Sequence, residues 1–283
     1  MSEIPVPTYN QTLTMTRPTP FIILTNGRSG SNNLVNLINL HPHALNYGEV
    51  LGDWTTAWNR RGLMGFPGDD PASIKGFLNA LLSRRSVFYA AQAAALPGRL
   101  KGGRPPNLKT YGRVKALGFK DFHLNFERRG VVDYLTETED LRVIGLRRLD
   151  PVRRFVSSSM LGETRQAVAR EGETSAFKPL SMSAEAFVEG VNAVHAENQA
   201  LNATLNGMPS SRRYIIDYET YFGETGQRKQ IQREMFKFLG LDPIEAESSH
   251  RKMNARPLSQ SLENFEAIKA ALSGSEFERF LES

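Results

Sequence analysis

The sequence has 283 residues, 40% of them hydrophobic and 23% charged, which supplies a sizeable core and suits one large domain or two small ones. Lys plus Arg number 35 against 30 Asp plus Glu, a net charge of +5; so modest an excess fits an anionic ligand as readily as nucleic acid. There are no cysteines, which excludes disulfides, thiolate metal sites and a cysteine nucleophile.

Residues 1–18 are polar and proline-punctuated and are expected to form a flexible arm. They lack the charged start and apolar run of an export signal. No stretch approaches the roughly 20 apolar residues that span a bilayer. A cytoplasmic protein with no stable membrane insertion is therefore expected.

Phe21–Thr25 (FIILT) is a short continuous apolar run, the pattern of a strand buried on both faces of a parallel sheet. The polar loop Asn26–Asn33 (NGRSGSNN) follows. Leu34, Val35, Leu37 and Ile38 then mark one face of a helix that His41-Pro42 stops. Asp70-Pro71 is an N-cap followed by proline at the first helical position, ahead of Ile74, Phe77, Leu78, Leu81 and Leu82 at helical spacing.

Arg99–Lys120 holds seven Lys/Arg and no acidic residue. Its first part, around GGRPP, reads as a loop, and its end, VKALGFK, as a second strand. Leu141–Leu146 (LRVIGL) is another strand running into Arg147-Arg148, after which Asp150-Pro151 opens a helix. Met160–Ser181 is long, polar and aperiodic. Phe187, Val188, Val191, Val194, Leu201 and Leu205 mark a long helix ending at Gly207. Tyr214–Tyr218 (YIIDY) is a further strand. Ile231, Met235, Phe238 and Leu239 form a helix closed by Gly240, and a last helix carries Leu262, Phe265, Ile268 and Leu272.

Strands alternating with helices imply an α/β fold: a central parallel sheet with helices on both faces. Such sheets bind ligands at the carboxyl ends of their strands. That selects Asn26–Asn33 and Arg147–Ser159.

In the first of these, a strand, a glycine-bearing turn and a helix start gather backbone N–H groups around one point, and the helix dipole adds about half a positive charge. Gly27 and Gly30 are expected to allow close approach and positive φ. Ser29 and Ser31 add hydroxyl donors and Arg28 a full charge. Neither the lysine-bearing phosphate loop of nucleotide hydrolases nor the dinucleotide pattern G-x-G-x-x-G is met.

The segments GRSGSNNL and HPHALNYGEVL together resemble the opening of sulfotransferases that use 3′-phosphoadenosine 5′-phosphosulfate (PAPS). The likeness is nearest to the bacterial carbohydrate branch, including Nod-factor and trehalose sulfotransferases. VIGLRRLDPVRRFVSSSM resembles that family's 3′-phosphate site, YIIDYETYF its YE-bearing strand, and NARPLSQSLENFEAI its closing segment. Gly27 stands where the family usually has proline, and Asn32 where it has Thr or Ser for the 5′-phosphate; the Asn32 amide retains a donor.

The resemblance implies a P-loop-like sulfotransferase fold in one domain over residues 19–283, with residues 160–181 as an acceptor-side loop or lid. It implies PAPS as co-substrate, no metal, and sulfuryl transfer to a hydroxyl of a carbohydrate or glycolipid, with no nucleic-acid partner. Glu49, in YGEVL, is the expected general base. Arg28 would stabilise charge on the bridging oxygen. Gly27, Ser29, Gly30, Ser31, Asn32 and Asn33 would complete the cradle with it. Arg148 and Ser157 would bind the 3′-phosphate, with Arg147 a near-equal candidate. His250, Arg251 and Lys252 lie where the family often closes over the nucleotide.

Other residues read more plainly. Trp54 and Trp58, at i, i+4 spacing, are expected to pack in the core ahead of stacking on a sugar. Lys120 is expected to bury its stem and keep its head in solvent. The basic segment from Arg99 to Lys115 would attract an acidic acceptor or stay solvated. The five histidines show no metal-ligand or triad spacing. Two alternatives stand beside the leading reading: a nucleotide kinase or NTPase with an atypical phosphate loop, and an inactive nucleotide- or glycan-binding protein.

Overall fold

The computed structural model describes residues 17–101, 103, 107–164, 178–223, 226–245 and 256–281. Five strands, β1 (Thr19–Thr25), β2 (Ala44–Asn46), β3 (Ala116–Phe122), β4 (Arg142–Arg147) and β5 (Arg213–Asp217), form one sheet in the order β2-β3-β1-β4-β5. Every pairing is parallel. The helices in chain order are α1 (Ser31–Leu40), α2 (Thr56–Asn59), α3 (Pro71–Ser83), α4 (Arg85–Lys101), α5 (His123–Arg128), α6 (Tyr134–Glu137), α7 (Pro151–Thr164), α8 (Ala184–Asn206), α9 (Tyr218–Phe222), α10 (Arg228–Phe238), α11 (Leu258–Ser261) and α12 (Phe265–Leu272).

The continuous apolar run of β1 has its explanation in the layers around it. Side chains alternate across a strand. Phe21 and Ile23 pack with Leu34, Leu37 and Ile38 of α1 and Met235 and Phe236 of α10. Ile22 and Leu24 pack with Ile74, Phe77 and Leu78 of α3 and Leu201 and Leu205 of α8. Both faces are covered, so Phe21 to Leu24 are all apolar, and the buried Thr25 that follows spends its hydroxyl on Leu146 O at 2.8 Å. Each such side chain contributes about 1.5–3 kcal/mol by leaving water. The α/β class expected from the sequence is the class observed. A third cluster joins α7, α8, α11 and α12 through Val152, Val191, Leu258 and Ile268.

The start signals act as read. Asp70 accepts from the Ser73 N–H at 2.9 Å, and Asp150 from the Arg153 N–H at 2.8 Å.

Several elements escaped the sequence reading: the short helices α2, α5, α6, α9 and α11, and also β2 and α4. β2 has three residues, too few for a period. α4 buries little beyond Val87, Phe88 and Gln92, so its apolar spacing is weak; its signal was the helix propensity of AAQAAAL. The basic loop expected from Arg99 is therefore corrected at its start, because Arg99 and Lys101 end α4. Met160 to Thr164, read as the start of an aperiodic stretch, complete α7. Residues 165–177 of the expected lid, 1–16 of the expected arm, and His250, Arg251 and Lys252 lie outside the described residues. Among the described residues, no helix is long and apolar enough to cross a membrane.

Candidate active site

Between β1 and α1 the backbone enters the left-handed region twice, at Arg28 (φ 65°) and Gly30 (φ 72°). Gly27 does not, and a Cβ there would meet nothing within 4 Å. The positive φ expected of Gly27 thus falls on Arg28. Gly30 is constrained twice over: an added Cβ would lie 2.6 Å from Phe222 and 3.2 Å from Tyr218. A non-glycine residue at positive φ is uncommon and persists where its surroundings over-determine it.

Those surroundings are specific. Three successive loop carbonyls are each held by a side chain. Asn26 O accepts from Ser29 Oγ at 2.8 Å, Gly27 O from Arg154 Nε at 2.9 Å, and Arg28 O from Arg148 Nη1 at 2.9 Å. A trans peptide points its C=O and the following N–H in opposite directions. The N–H groups of Gly27, Arg28 and Ser29 are therefore turned away from these three donors. Asn198 of α8 ties the supports together: it donates to Arg148 O at 2.9 Å and accepts from Arg154 Nη1 at 2.9 Å and Asn26 Nδ2 at 3.3 Å.

Arg28 also reaches across to α7, where its Nε donates to Ser157 Oγ at 3.0 Å. The two places selected by the sheet rule are thus one place. Arg148 and Arg147 part company at the end of β4. Arg148 is 8% exposed, stacks its guanidinium 4.6 Å from the Tyr218 ring centroid, and leaves its buried Nε without a hydrogen-bond partner among the described residues. Arg147 is ion-paired with Asp217 at 2.7 Å and bonded to Asn202 at 3.3 Å. Arg148, rather than Arg147, joins Arg28 and Ser157.

Burial holds the Arg28 guanidinium below its ordinary range, and the charge of Arg148 adds to this while Tyr218 opposes it. Burial does the same to Arg148, with Tyr218, Asp150 and Glu219 opposing. Two like charges held together, Arg28 partly buried and Arg148 buried, invite an anion. Glu219 contributes as a brace: its two carboxylate oxygens accept from the N–H groups of Leu149 and Asp150, both at 3.1 Å.

The remaining cradle residues divide. Ser29 and Ser31 are buried, with the Ser29 hydroxyl committed to Asn26 O. Asn32 is exposed at the start of α1. Asn33 turns inward, accepting from the Tyr221 hydroxyl at 3.2 Å, which in turn accepts from Gln232 at 3.0 Å.

Glu49 follows β2 at the same carboxyl edge of the sheet. Its flanks are fixed by β3. Lys120 N–H donates to Gly48 O at 3.0 Å, and Asp121 Oδ2 accepts from Val50 N–H at 2.8 Å and Leu51 N–H at 2.7 Å. Its carboxylate has two side-chain partners: the Lys120 ammonium on Oε1 and the Trp54 indole N–H on Oε2 at 2.8 Å. Lys120 is 2% exposed. The expectation of a solvated head is overturned, because the ammonium finds a carboxylate and the face of Phe122, 3.9 Å from its centroid. Burial lowers the Lys120 pKa, and Glu49 opposes that.

The two tryptophans also divide. Trp58 is buried between the guanidinium groups of Arg61 and Arg129, each 3.8 Å from its ring. Trp54 is 62% exposed, against the expectation of core packing. In the basic segment, Lys109 is spent inside the fold, donating to Asn39 O at 2.9 Å and to His41 O where α1 ends. Among the described residues, no group of three or more His, Asp and Glu is placed to hold a metal ion. Sequence reasoning missed Arg154, Asn198, Asp121 and Glu219 as supports; only Glu219 had a signal, in the YE pair.

No protein-family model matches the chain. Nodulation protein H of Rhizobium meliloti is 26% identical over 275 residues, covering 94% of this chain and 96% of that protein. Nodulation protein H of Rhizobium tropici is 23% identical over 270 residues, covering 94% of each. The chain is similar to nodulation protein H along nearly its whole length. The resemblance read from the sequence, with Nod-factor enzymes among its nearest likenesses, is borne out. Among solved structures, a sulfotransferase from Alicyclobacillus acidocaldarius overlays 94% of this chain and 96% of its own at 15% identity, with a TM-score of 0.45. The sulfotransferase domain of the Synechococcus PCC 7002 olefin synthase overlays 86% and 80% at 15% identity, with a TM-score of 0.42.

Proposed function

We propose that this chain is a sulfotransferase that moves a sulfuryl group from PAPS to a hydroxyl of a carbohydrate or glycolipid. The observation that carries the reading is the meeting of Arg28, Arg148 and Ser157 at the mouth of a strand–loop–helix turn. Its donors suit two anionic groups, a 5′-phosphosulfate at the loop and a 3′-phosphate beside α7. The orphaned Nε of Arg148 fits this demand.

In the proposed step, the acceptor oxygen attacks sulfur in line, forming a new S–O bond. The S–O bond to the bridging phosphate oxygen breaks, and 3′-phosphoadenosine 5′-phosphate leaves. Glu49 takes the acceptor proton. A positioned base of this kind contributes about 10²- to 10⁴-fold. Arg28 and the loop N–H groups stabilise the charge that grows on the leaving oxygen. Arg148 and Ser157 hold the 3′-phosphate. Glu49 lies at the same carboxyl edge as the loop, and Lys120 and Trp54 fix its two oxygens.

Calorimetry with 3′-phosphoadenosine 5′-phosphate, ADP and Mg-ATP tests this reading. The 3′-phosphorylated nucleotide is expected to bind tightest. Tighter binding of Mg-ATP would overturn the proposal in favour of a kinase or NTPase. Labelled donor with a panel of saccharide acceptors then tests transfer.

A further inference from the structure

We infer that Trp54 is an acceptor platform that takes the apolar face of a saccharide ring and is tied to the base by its own N–H. This deepens the sulfotransferase reading and rests on it for the role of Glu49.

Three observations converge. First, Trp54 is 62% exposed. A large indole left in water, when its i+4 neighbour Trp58 is buried, is an uncompensated apolar surface. Second, the ring is seated rather than loose. It lies over Gly52, where a Cβ would come within 2.6 Å of the indole carbons, and beside Phe122, with ring centroids 6.5 Å apart at 42°. The turn beneath it is held by Arg129, which donates to Leu51 O at 3.3 Å and pairs with Asp53. Third, its N–H donates to Glu49 Oε2 at 2.8 Å.

The chemistry follows from these positions. An indole has an apolar face and a polar edge. Here the edge is spent on the carboxylate, so the face is what remains for a ligand. A pyranose presents axial C–H groups on one face and hydroxyls around its rim. Laid on Trp54, it keeps its hydroxyls beside Glu49. A ring fixed against its neighbours loses little entropy on binding. A flexible alkyl alcohol gains less from a flat platform, so the site should favour ring-shaped polyols.

The test uses full-length protein with trehalose and cellobiose as probes. The chain has two tryptophans, and the second is buried, so saccharide-dependent change in indole fluorescence reports Trp54. A saturable change is expected in the wild type and its absence in Trp54→Phe. Trp54→Ala should weaken saccharide binding by about tenfold. Trp54→Phe should keep most of that binding while lowering kcat, because the ring remains and the donor to Glu49 is gone. Binding of 3′-phosphoadenosine 5′-phosphate, followed by calorimetry in the same samples, should be unchanged. Nucleotide binding without any saccharide response would overturn the platform and leave the sulfotransferase reading standing. A saccharide response in the wild type that persists in Trp54→Phe would also overturn it. A response without nucleotide binding would overturn the sulfotransferase reading and leave the platform.

Discussion

The Arg28 guanidinium donates to the Ser157 hydroxyl at 3.0 Å, across 129 positions of sequence. This bond joins the loop after β1 to the helix after β4, and it brings together the two segments of the proposed anion site. Arg28→Lys would keep the charge and lose the planar fork. It is expected to lower kcat/KM by about 10- to 100-fold, the loss of one charge-assisted contact and its geometry. Steady-state kinetics with PAPS checks this; unchanged kinetics would remove Arg28 from the site.

The two arginines at the end of β4 give a sharper test. Arg148→Ala should weaken 3′-phosphoadenosine 5′-phosphate more than its analogue without the 3′-phosphate. Arg147→Ala should leave that ratio unchanged, because Arg147 is committed to Asp217. Calorimetry on both variants with both nucleotides decides. The reverse ranking would reassign the 3′-phosphate to Arg147.

Glu49 needs a careful substitution. Glu49→Ala would strand the Lys120 ammonium, which is 2% exposed, and breaking such a buried pair costs about 3–5 kcal/mol. Glu49→Gln keeps an acceptor for Lys120 and removes the proposed base. It is expected to retain nucleotide affinity and lose about 10²- to 10⁴-fold in turnover. Full turnover by Glu49→Gln on a true acceptor would show that another group takes the proton.

Gly30 is predicted to resist all substitution. Gly30→Ala would place a methyl 2.6 Å from Phe222 at φ 72°. The backbone strain alone costs about 1 kcal/mol. Thermal melting and nucleotide calorimetry should both register the change. Gly27→Ala, with nothing within 4 Å, should melt close to the wild type.

Stability should fall on mild acidification. Burial lowers the pKa of His41 and of His123 below the ordinary 6.5. His41 Nδ1 accepts from the His43 N–H at 3.1 Å, a bond that protonation would break. A histidine shifted down binds fewer protons folded than unfolded, so its stabilisation is full above about 6.5 and is lost as pH falls below that value toward the folded pKa. Melting temperature at pH 7.5 should exceed that at pH 5.5, and His123→Asn should narrow the gap. A gap that widened in the variant would reverse the sign assigned to His123.

The sequence by itself determined the α/β class and four of the five strands, because apolar period and turn glycines are local properties of the chain. It could not find β2, which is held by β3 rather than by its own pattern, or α4, whose helical signal lies in alanine propensity. It left Arg147 and Arg148 undecided, since neighbours in sequence differ only in which side of the strand end they leave. Only the tertiary structure decided that Asp217 takes the first and the loop the second. Likewise, Lys120 has the sequence of an ordinary strand-end lysine, and Trp54 and Trp58 share one helical spacing. Their fates were set by what stood opposite: a carboxylate for the lysine, two guanidinium groups for one indole, and open water for the other.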